Sequence, residues 1–320
     1  MRLYAARRPS RKLTAFTGTA PERARPTSHW RRLERDTPNP VVDLREPDPS
    51  MNRQSRWPVL AASGALEVRI AETEAEIEAA QRLRYRVFYE EMSAVPTPRM
   101  REERRDFDKY DEFCDHMLVV DREVRGDDGD AAVVGTYRLM RGEDAKRAGG
   151  FYTAGEYDIA PLLAARGEDV RFLELGRSCV LKQYRSKPVT MQLLWRGVIL
   201  YNIHYNIDVM FGCGSLPGTD PDALALPLSY LHHFHRMRED LRVRARPELY
   251  VEMNRMAKDA IDPREGLRAL PPLIKGYVRA GASIGDGAVV DRQFGTTDVL
   301  IYLPVSKIDE RWRSHFVRRM

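Results

Sequence analysis

Val170-Arg171-Phe172-Leu173-Glu174-Leu175-Gly176-Arg177-Ser178-Cys179-Val180-Leu181-Lys182 is a run long enough for a buried strand. Pro188 comes after it, where a first helical residue is preferred. Strict alternation puts Phe172, Glu174, Gly176 and Ser178 on one side and Leu173, Leu175, Arg177 and Cys179 on the other. The apolar stretch after Pro188 predicts a helix through about Tyr205, and Asp208–Phe211 predicts a short strand. Strand, helix and strand make a central βαβ unit.

Leu66, Val68 and Ile70 alternate with Glu67 and Arg69 as in a half-buried strand, and Thr73-Glu74-Ala75-Glu76 resembles a capping box. Ile77, Ala80, Arg84, Val87, Phe88 and Met92 fall on one face of the helix that this box opens. Met117–Val120 and Val133–Met140 read as strands joined through Asp127-Asp128-Gly129-Asp130. Downstream, Pro221–His235 and Pro271–Ala280 read as helices. Tyr250–Met253, Ala288–Asp291 and Val299–Leu303 read as strands, and Ser306–Phe316 as an amphipathic segment. The class is mixed α and β.

The charge is uneven. Residues 1–56 hold 13 Lys/Arg against 6 Asp/Glu, which leaves 39 against 41 of the chain's 52 and 47 for the remainder. The bulk of the chain is nearly neutral, so a global basic surface for nucleic acid is not supported. Residues 1–64, rich in Arg and Pro and without sustained periodicity, read as a disordered leader, and 65–320 as the folded domain. An organellar transit peptide, an anchor to anionic lipid or an early start codon all fit such a leader. Three widely spaced cysteines, Cys114, Cys179 and Cys213, argue against a disulfide framework or zinc site and fit a reducing cytoplasm. No apolar run approaches the roughly 18 residues of a membrane span.

Several constellations carry no chemistry. Neither GxGxxG opening a helix nor GxxxxGK[ST] is present. His116 and Asp121 form an HxxxxD string, but they bracket one apolar strand, and so short a string arises by chance. His232, His233 and His235 lack a carboxylate companion at helical spacing, and no metal site is expected. Gly212-Cys213-Gly214-Ser215 reads as a turn with a buried thiol.

Charges inside apolar segments are more informative: Arg84 on a helix face, Arg138 in one strand, Glu174 and Arg177 in another. Asp106, Asp108 and Asp111 surround Tyr110. A charge in a sheet is costly unless paired, so these groups need each other or a ligand. On the residues alone, an internal ion-pair network and a polar active site weigh equally.

Leu83-Arg84-Tyr85-Arg86-Val87-Phe88, Asp108-Lys109-Tyr110-Asp111, Gly135-Thr136-Tyr137-Arg138-Leu139 and Glu174-Leu175-Gly176-Arg177 occur in that order. Together they resemble the motif series of acyl-homoserine-lactone synthases, enzymes of the acetyltransferase-like fold that take acyl groups from acyl carrier protein. Leu216-Pro217-Gly218-Thr219-Asp220, Leu226-Pro227-Leu228-Ser229-Tyr230, Leu270–Tyr277 and Gly295-Thr296-Thr297-Asp298-Val299 depart from that series. They look instead like the ornithine N-acyltransferases, sometimes labelled hemolysin-like, over about Leu66–Phe316. The resemblance implies a mixed twisted sheet flanked by helices, with a C-terminal α/β extension. It also implies a 3-hydroxyacyl-[acyl carrier protein] donor and L-ornithine as acceptor, giving lyso-ornithine lipid.

In that reading Glu174 accepts the proton, while Arg177 and Arg138 position it or bind the ornithine carboxylate. Asp108 and Asp111 face the δ-ammonium, Arg84 organises them, and Phe88 lies at the substrate. Lys182, Arg185 and Lys187, at a helix N-terminus without the Gly-rich turn of coenzyme A users, suit a phosphopantetheine phosphodiester or the acidic surface of its carrier. No cofactor of the enzyme's own is expected, and the amphiphilic product fits contact with the inner membrane surface. An autoinducer-type synthase acting on S-adenosylmethionine and a non-catalytic acyl-carrier-binding module remain the alternatives.

Overall fold

The computed structural model describes residues 59–92, 94–126, 129–167 and 169–308. In chain order the first elements are β1 (Ala61–Ser63), β2 (Leu66–Ile70), α1 (Glu74–Tyr85), α2 (Pro98–Glu103), β3 (Asp115–Arg125), β4 (Ala131–Arg141) and α3 (Gly142–Arg147). Next come β5 (Tyr157–Asp158), α4 (Ala160–Arg166), β6 (Phe172–Val180), α5 (Lys182–Arg185), α6 (Pro188–His204), β7 (Val209–Pro217) and α7 (Ala225–His235). The last third holds β8 (Arg244–Ala245), β9 (Tyr250–Val251), α8 (Pro263–Ala269), α9 (Pro272–Ala280), β10 (Ser283–Asp291) and β11 (Thr296–Pro304).

The strands join one sheet in the order β1-β2-β3-β4-β6-β7-β11-β10-β8-β5, with β9 on β10. Neighbours run antiparallel except β6–β7 and β10–β8. The parallel pair β6–β7 is the expected βαβ unit, with α6 as its crossover. β1 lies inside the segment read as leader: Gly64, at φ 59°, turns it back onto β2, so the sheet starts before residue 65. The rest of that segment falls outside the described residues, as do residues 309–316 of the terminal amphipathic segment.

Each face of the sheet carries its own core. On one, α6 and α9 pack with Met117, Leu173, Leu194, Val198, Ile274 and Ile301. On the other, Phe151, Phe172, Phe211, Tyr157, Leu300 and Tyr302 form an aromatic-rich layer. A side chain of this size contributes roughly 2 kcal/mol on burial.

The first helix follows its sequence closely, then departs from it. Thr73 and Glu76 make the reciprocal capping box. After Tyr85 the backbone widens into a π-helical turn, Arg86–Glu91. The extra residue per turn rotates the chain beyond it, so Met92, expected on the buried face, is exposed, whereas Arg84 is fully buried.

The strand β6 breaks its alternation at one residue. In β4–β6 the register passes from Arg138↔Gly176 to Thr136↔Cys179, so Arg177 and Ser178 together oppose Tyr137. This is a β-bulge, and Arg177 takes φ 52°, a left-handed conformation costing roughly 1–2 kcal/mol for a residue with a Cβ. Alternation predicts Arg177 opposite Glu174. The bulge instead turns Arg177 towards Asp106 and Asp108, the carboxylates that also meet Arg138 and Arg84.

Candidate active site

The parallel β6–β7 ladder is short. It covers Phe172↔Val209, Leu173↔Met210 and Glu174↔Phe211, then stops. Beyond that point β6 continues against β4, and β7 continues against β11. The two central strands therefore part, and backbone groups of β6 past Glu174 lose their β7 partners. Gly212 marks the fork: a Cβ there would sit 2.3 Å from the Leu175 carbonyl oxygen, so only glycine allows this approach.

Beside the fork lies a buried ionic cluster. Arg84 donates from Nε to Asp106 Oδ2 at 2.7 Å and from Nη2 to both oxygens of Asp111 at 2.9 Å. Arg138 Nη1 lies 2.7 Å from Asp108 Oδ1, and Arg177 Nη2 lies 3.2 Å from Asp108 Oδ2. The Tyr89 hydroxyl donates to Asp106 Oδ1 at 2.8 Å. Burial alone pushes Asp106 and Asp108 up, but the surrounding arginines overcome it and hold both carboxyls below their ordinary value. Three guanidiniums thus meet three carboxylates. Arg84, Asp108, Asp111, Arg138 and Arg177 come together as the sequence suggests, with the two aspartates offered there to a substrate ammonium each paired with arginine.

Glu174 sits at the end of the ladder with its own partners. Its Oε1 accepts the backbone N–H of Thr153 at 2.6 Å, and its Oε2 accepts that of Tyr152 at 2.9 Å. The carboxylate clamps the 3₁₀ turn Tyr152–Gly155, which leads directly into Glu156. The Arg177 guanidinium lies over two rings, 5.1 Å from the Tyr152 centroid and 4.6 Å from that of Phe294. Phe88 reaches the same region edge-on to Phe294, at 5.5 Å.

A second carboxylate group, not foreseen from the sequence, completes the site. Oxygens of Glu156, Asp291 and Asp298 all lie within 4.8 Å of one another. Burial, reinforced by the Asp298 charge, raises Glu156 to about 7. Burial also raises Asp298 to about 6, against hydrogen bonds from Thr296 and Ser215. Arg177 lowers both, so a guanidinium borders the acidic group. The signal was hard to see because Glu156 follows a turn while Asp291 and Asp298 flank a hairpin more than 130 residues downstream.

The dismissed motifs stay structural. His116 is buried with Nε2 3.0 Å from the Asp111 carbonyl oxygen, and Asp121 accepts from the Tyr184 hydroxyl at 2.8 Å. His233 bonds the Met256 carbonyl and His235 the Tyr230 hydroxyl. Lys182, Arg185 and Lys187 lie on and just after α5, exposed, past the far end of β6. Arg185 is held by Glu91 at 2.6 Å and the Val180 carbonyl, while Lys187 stacks over Tyr184.

A family model described as acetyltransferase (GNAT) domain matches residues 83–196. The L-ornithine N(alpha)-acyltransferase of Rhizobium meliloti (strain 1021) is 53% identical over 258 residues, 81% of this chain and 86% of the relative. The chain belongs to the L-ornithine N(alpha)-acyltransferase family. The protein of that name from Rhodobacter capsulatus is 41% identical over 81% of this chain and 98% of its own length. An N-acyl amino acid synthase from uncultured soil microbes is a structural neighbour at TM-score 0.41 and 14% identity, covering 78% of this chain and 93% of that one. The acetyltransferase-like fold expected from the motif series is therefore the one present, and the chain is an N-acyltransferase. Its family domain supplies Arg84, Arg138, Glu156, Glu174 and Arg177. Asp291 and Asp298 of the acyltransferase lie outside that match.

Proposed function

We propose that this acyltransferase moves a 3-hydroxyacyl group from acyl carrier protein to the α-amine of L-ornithine, giving lyso-ornithine lipid in the first step of ornithine lipid biosynthesis. The names of its relatives support the acceptor. The observation that carries the reading is the mixed field at the fork, where the Arg177 guanidinium borders the carboxylates of Glu156, Asp291 and Asp298. An amino acid with a second ammonium matches it: its carboxylate meets arginine and its cationic groups meet the acidic side.

The acyl thioester enters where β6 and β7 part. Backbone N–H groups of β6 beyond Glu174 receive the oxyanion that forms when nitrogen attacks the thioester carbon. Lys182 and Lys187 face the phosphodiester of the phosphopantetheine arm or the acidic carrier, while Arg185 is partly engaged by Glu91. Phosphopantetheine comes on the carrier, so the enzyme needs no cofactor of its own. Glu174, with both oxygens on backbone N–H groups, acts by fixing the turn that carries Glu156. Among the described residues no helix is long and apolar enough to cross a membrane, and the amphiphilic product is released at the inner membrane surface from the cytoplasmic side.

Purified protein is incubated with a 3-hydroxyacyl carrier thioester and, in separate reactions, L-ornithine or S-adenosylmethionine. A product with the mass of N-acylornithine supports the reading, and an acyl lactone or an unchanged thioester rejects it. The corresponding coenzyme A thioester, tested in parallel, separates the donor from the acceptor question.

A further inference from the structure

The three clustered carboxylates differ in what already holds them. Asp291 Oδ1 accepts the backbone N–H groups of Gln293 and Phe294, at 2.8 and 3.0 Å, within its hairpin turn. Asp298 Oδ1 accepts the Thr296 hydroxyl at 2.9 Å. Glu156 Oε2 is buried and has no hydrogen-bond partner. Its carboxyl also meets the thiol of Cys213, a β7 residue two positions past the end of the β6–β7 ladder. Glu156 is thus an acidic side chain at the fork with an oxygen left over, fixed from behind by the turn that Glu174 clamps.

We propose that Glu156 is the catalytic proton acceptor: its carboxylate takes a proton from the acceptor's attacking ammonium at the fork. This rests on the acyl-transfer reading of the same site. Glu156 removes one proton from R–NH3+ and releases it to solvent. The neutral nitrogen then forms the C–N bond to the thioester carbon. The tetrahedral adduct expels sulfur as the C–S bond breaks, and the second nitrogen proton leaves with the sulfur as thiol. No oxidant or reductant is needed.

The electrostatics suit the task. Glu156 is faced by Asp298 from β11, Asp291 from the end of β10, Cys213 from β7 and Arg177 from β6, with Tyr152 and Tyr157 beside it in its own segment. Burial and the neighbouring Asp298 charge lift it to about 7, close to where a general base works best at neutral pH. Asp298 and Asp291, each held by donors, line the acidic side that meets the acceptor's positive charge.

The test uses the full chain, a carrier-bound 3-hydroxyacyl thioester and L-ornithine. Wild-type rate against pH should bend near pH 7, rising with slope one on the acid side. Glu156→Gln should lower kcat by about 100-fold or more and abolish the bend, with the KM for ornithine changed by less than about 5-fold. Asp298→Asn removes a neighbouring negative charge, so it should move the bend to lower pH and raise KM rather than erase the bend. A Glu156→Gln enzyme within about 3-fold of wild-type kcat, or one that keeps the bend, overturns the proposal. If Glu156→Gln does not fold, a wild-type profile flat between pH 6 and 8 overturns it equally. Failure of the wild type to acylate ornithine at all rejects the acceptor reading instead.

Discussion

Arg138 and Arg177 close on one carboxylate from two strands: each guanidinium bonds a different oxygen of Asp108, at 2.7 and 3.2 Å. Two like charges this close are tolerable because Asp106, Asp108 and Asp111 match Arg84, Arg138 and Arg177 one for one. The left-handed turn at Arg177 is what brings the second guanidinium there. The cluster therefore ties β4, β6 and the segment before β3 together on the face where β6 and β7 part.

The Arg84 side chain is fully buried against Asp106 and Asp111. Replacing it by Met takes the shared guanidinium from two buried carboxylates and leaves the cluster one cation short. The expected loss is about 3–5 kcal/mol in urea unfolding. The KM for acceptor in the folded fraction should change little, and a large KM rise at unchanged stability would assign Arg84 to substrate contact.

Glu174→Gln tests the clamp. An amide can accept only one of the two N–H groups of Tyr152 and Thr153 and points its own NH2 at the other. Stability should fall by about 1–3 kcal/mol, and kcat should fall because the turn before Glu156 loosens. If activity drops while the unfolding midpoint stays at the wild-type value, Glu174 is itself in contact with the reacting groups.

Gly212→Ala forces a methyl group onto the Leu175 carbonyl at the fork, where only backbone can yield. We expect about 1–3 kcal/mol of destabilisation and a clear loss of acyl transfer as β7 shifts. Gly155→Ala is the control: nothing lies within 4 Å of its added carbon, so calorimetric stability should stay within about 0.5 kcal/mol of wild type.

His116 is lowered to about 4, first by burial and then by Arg84. A depressed histidine is neutral in the folded chain while the unfolded chain takes up a proton from about pH 6.5 downward. Its stabilising contribution is thus present above pH 6.5 and is lost as pH falls towards 4. Unfolding free energy measured across that window should fall less steeply in His116→Gln than in wild type.

Much of this was legible from residues. The central strand–helix–strand unit, the capping box at Thr73 and the arginine–aspartate series each follow from local chemistry. Two features were not. Period-two alternation cannot foresee a bulge, so the sides of Arg177, Ser178 and Cys179 came out reversed while those of residues 172 to 176 came out right. The acidic group was invisible because Glu156, Asp291 and Asp298 look like ordinary loop and hairpin carboxylates until β11 is placed beside β7.

That placement has a consequence for synthesis. β11 is the last strand described, yet it lies inside the sheet between β7 and β10. A chain that stops after β7 carries the arginines but lacks Asp291 and Asp298 and leaves the edge of β7 bare. Products truncated before the hairpin of β10 and β11 should therefore be inert towards acyl thioesters.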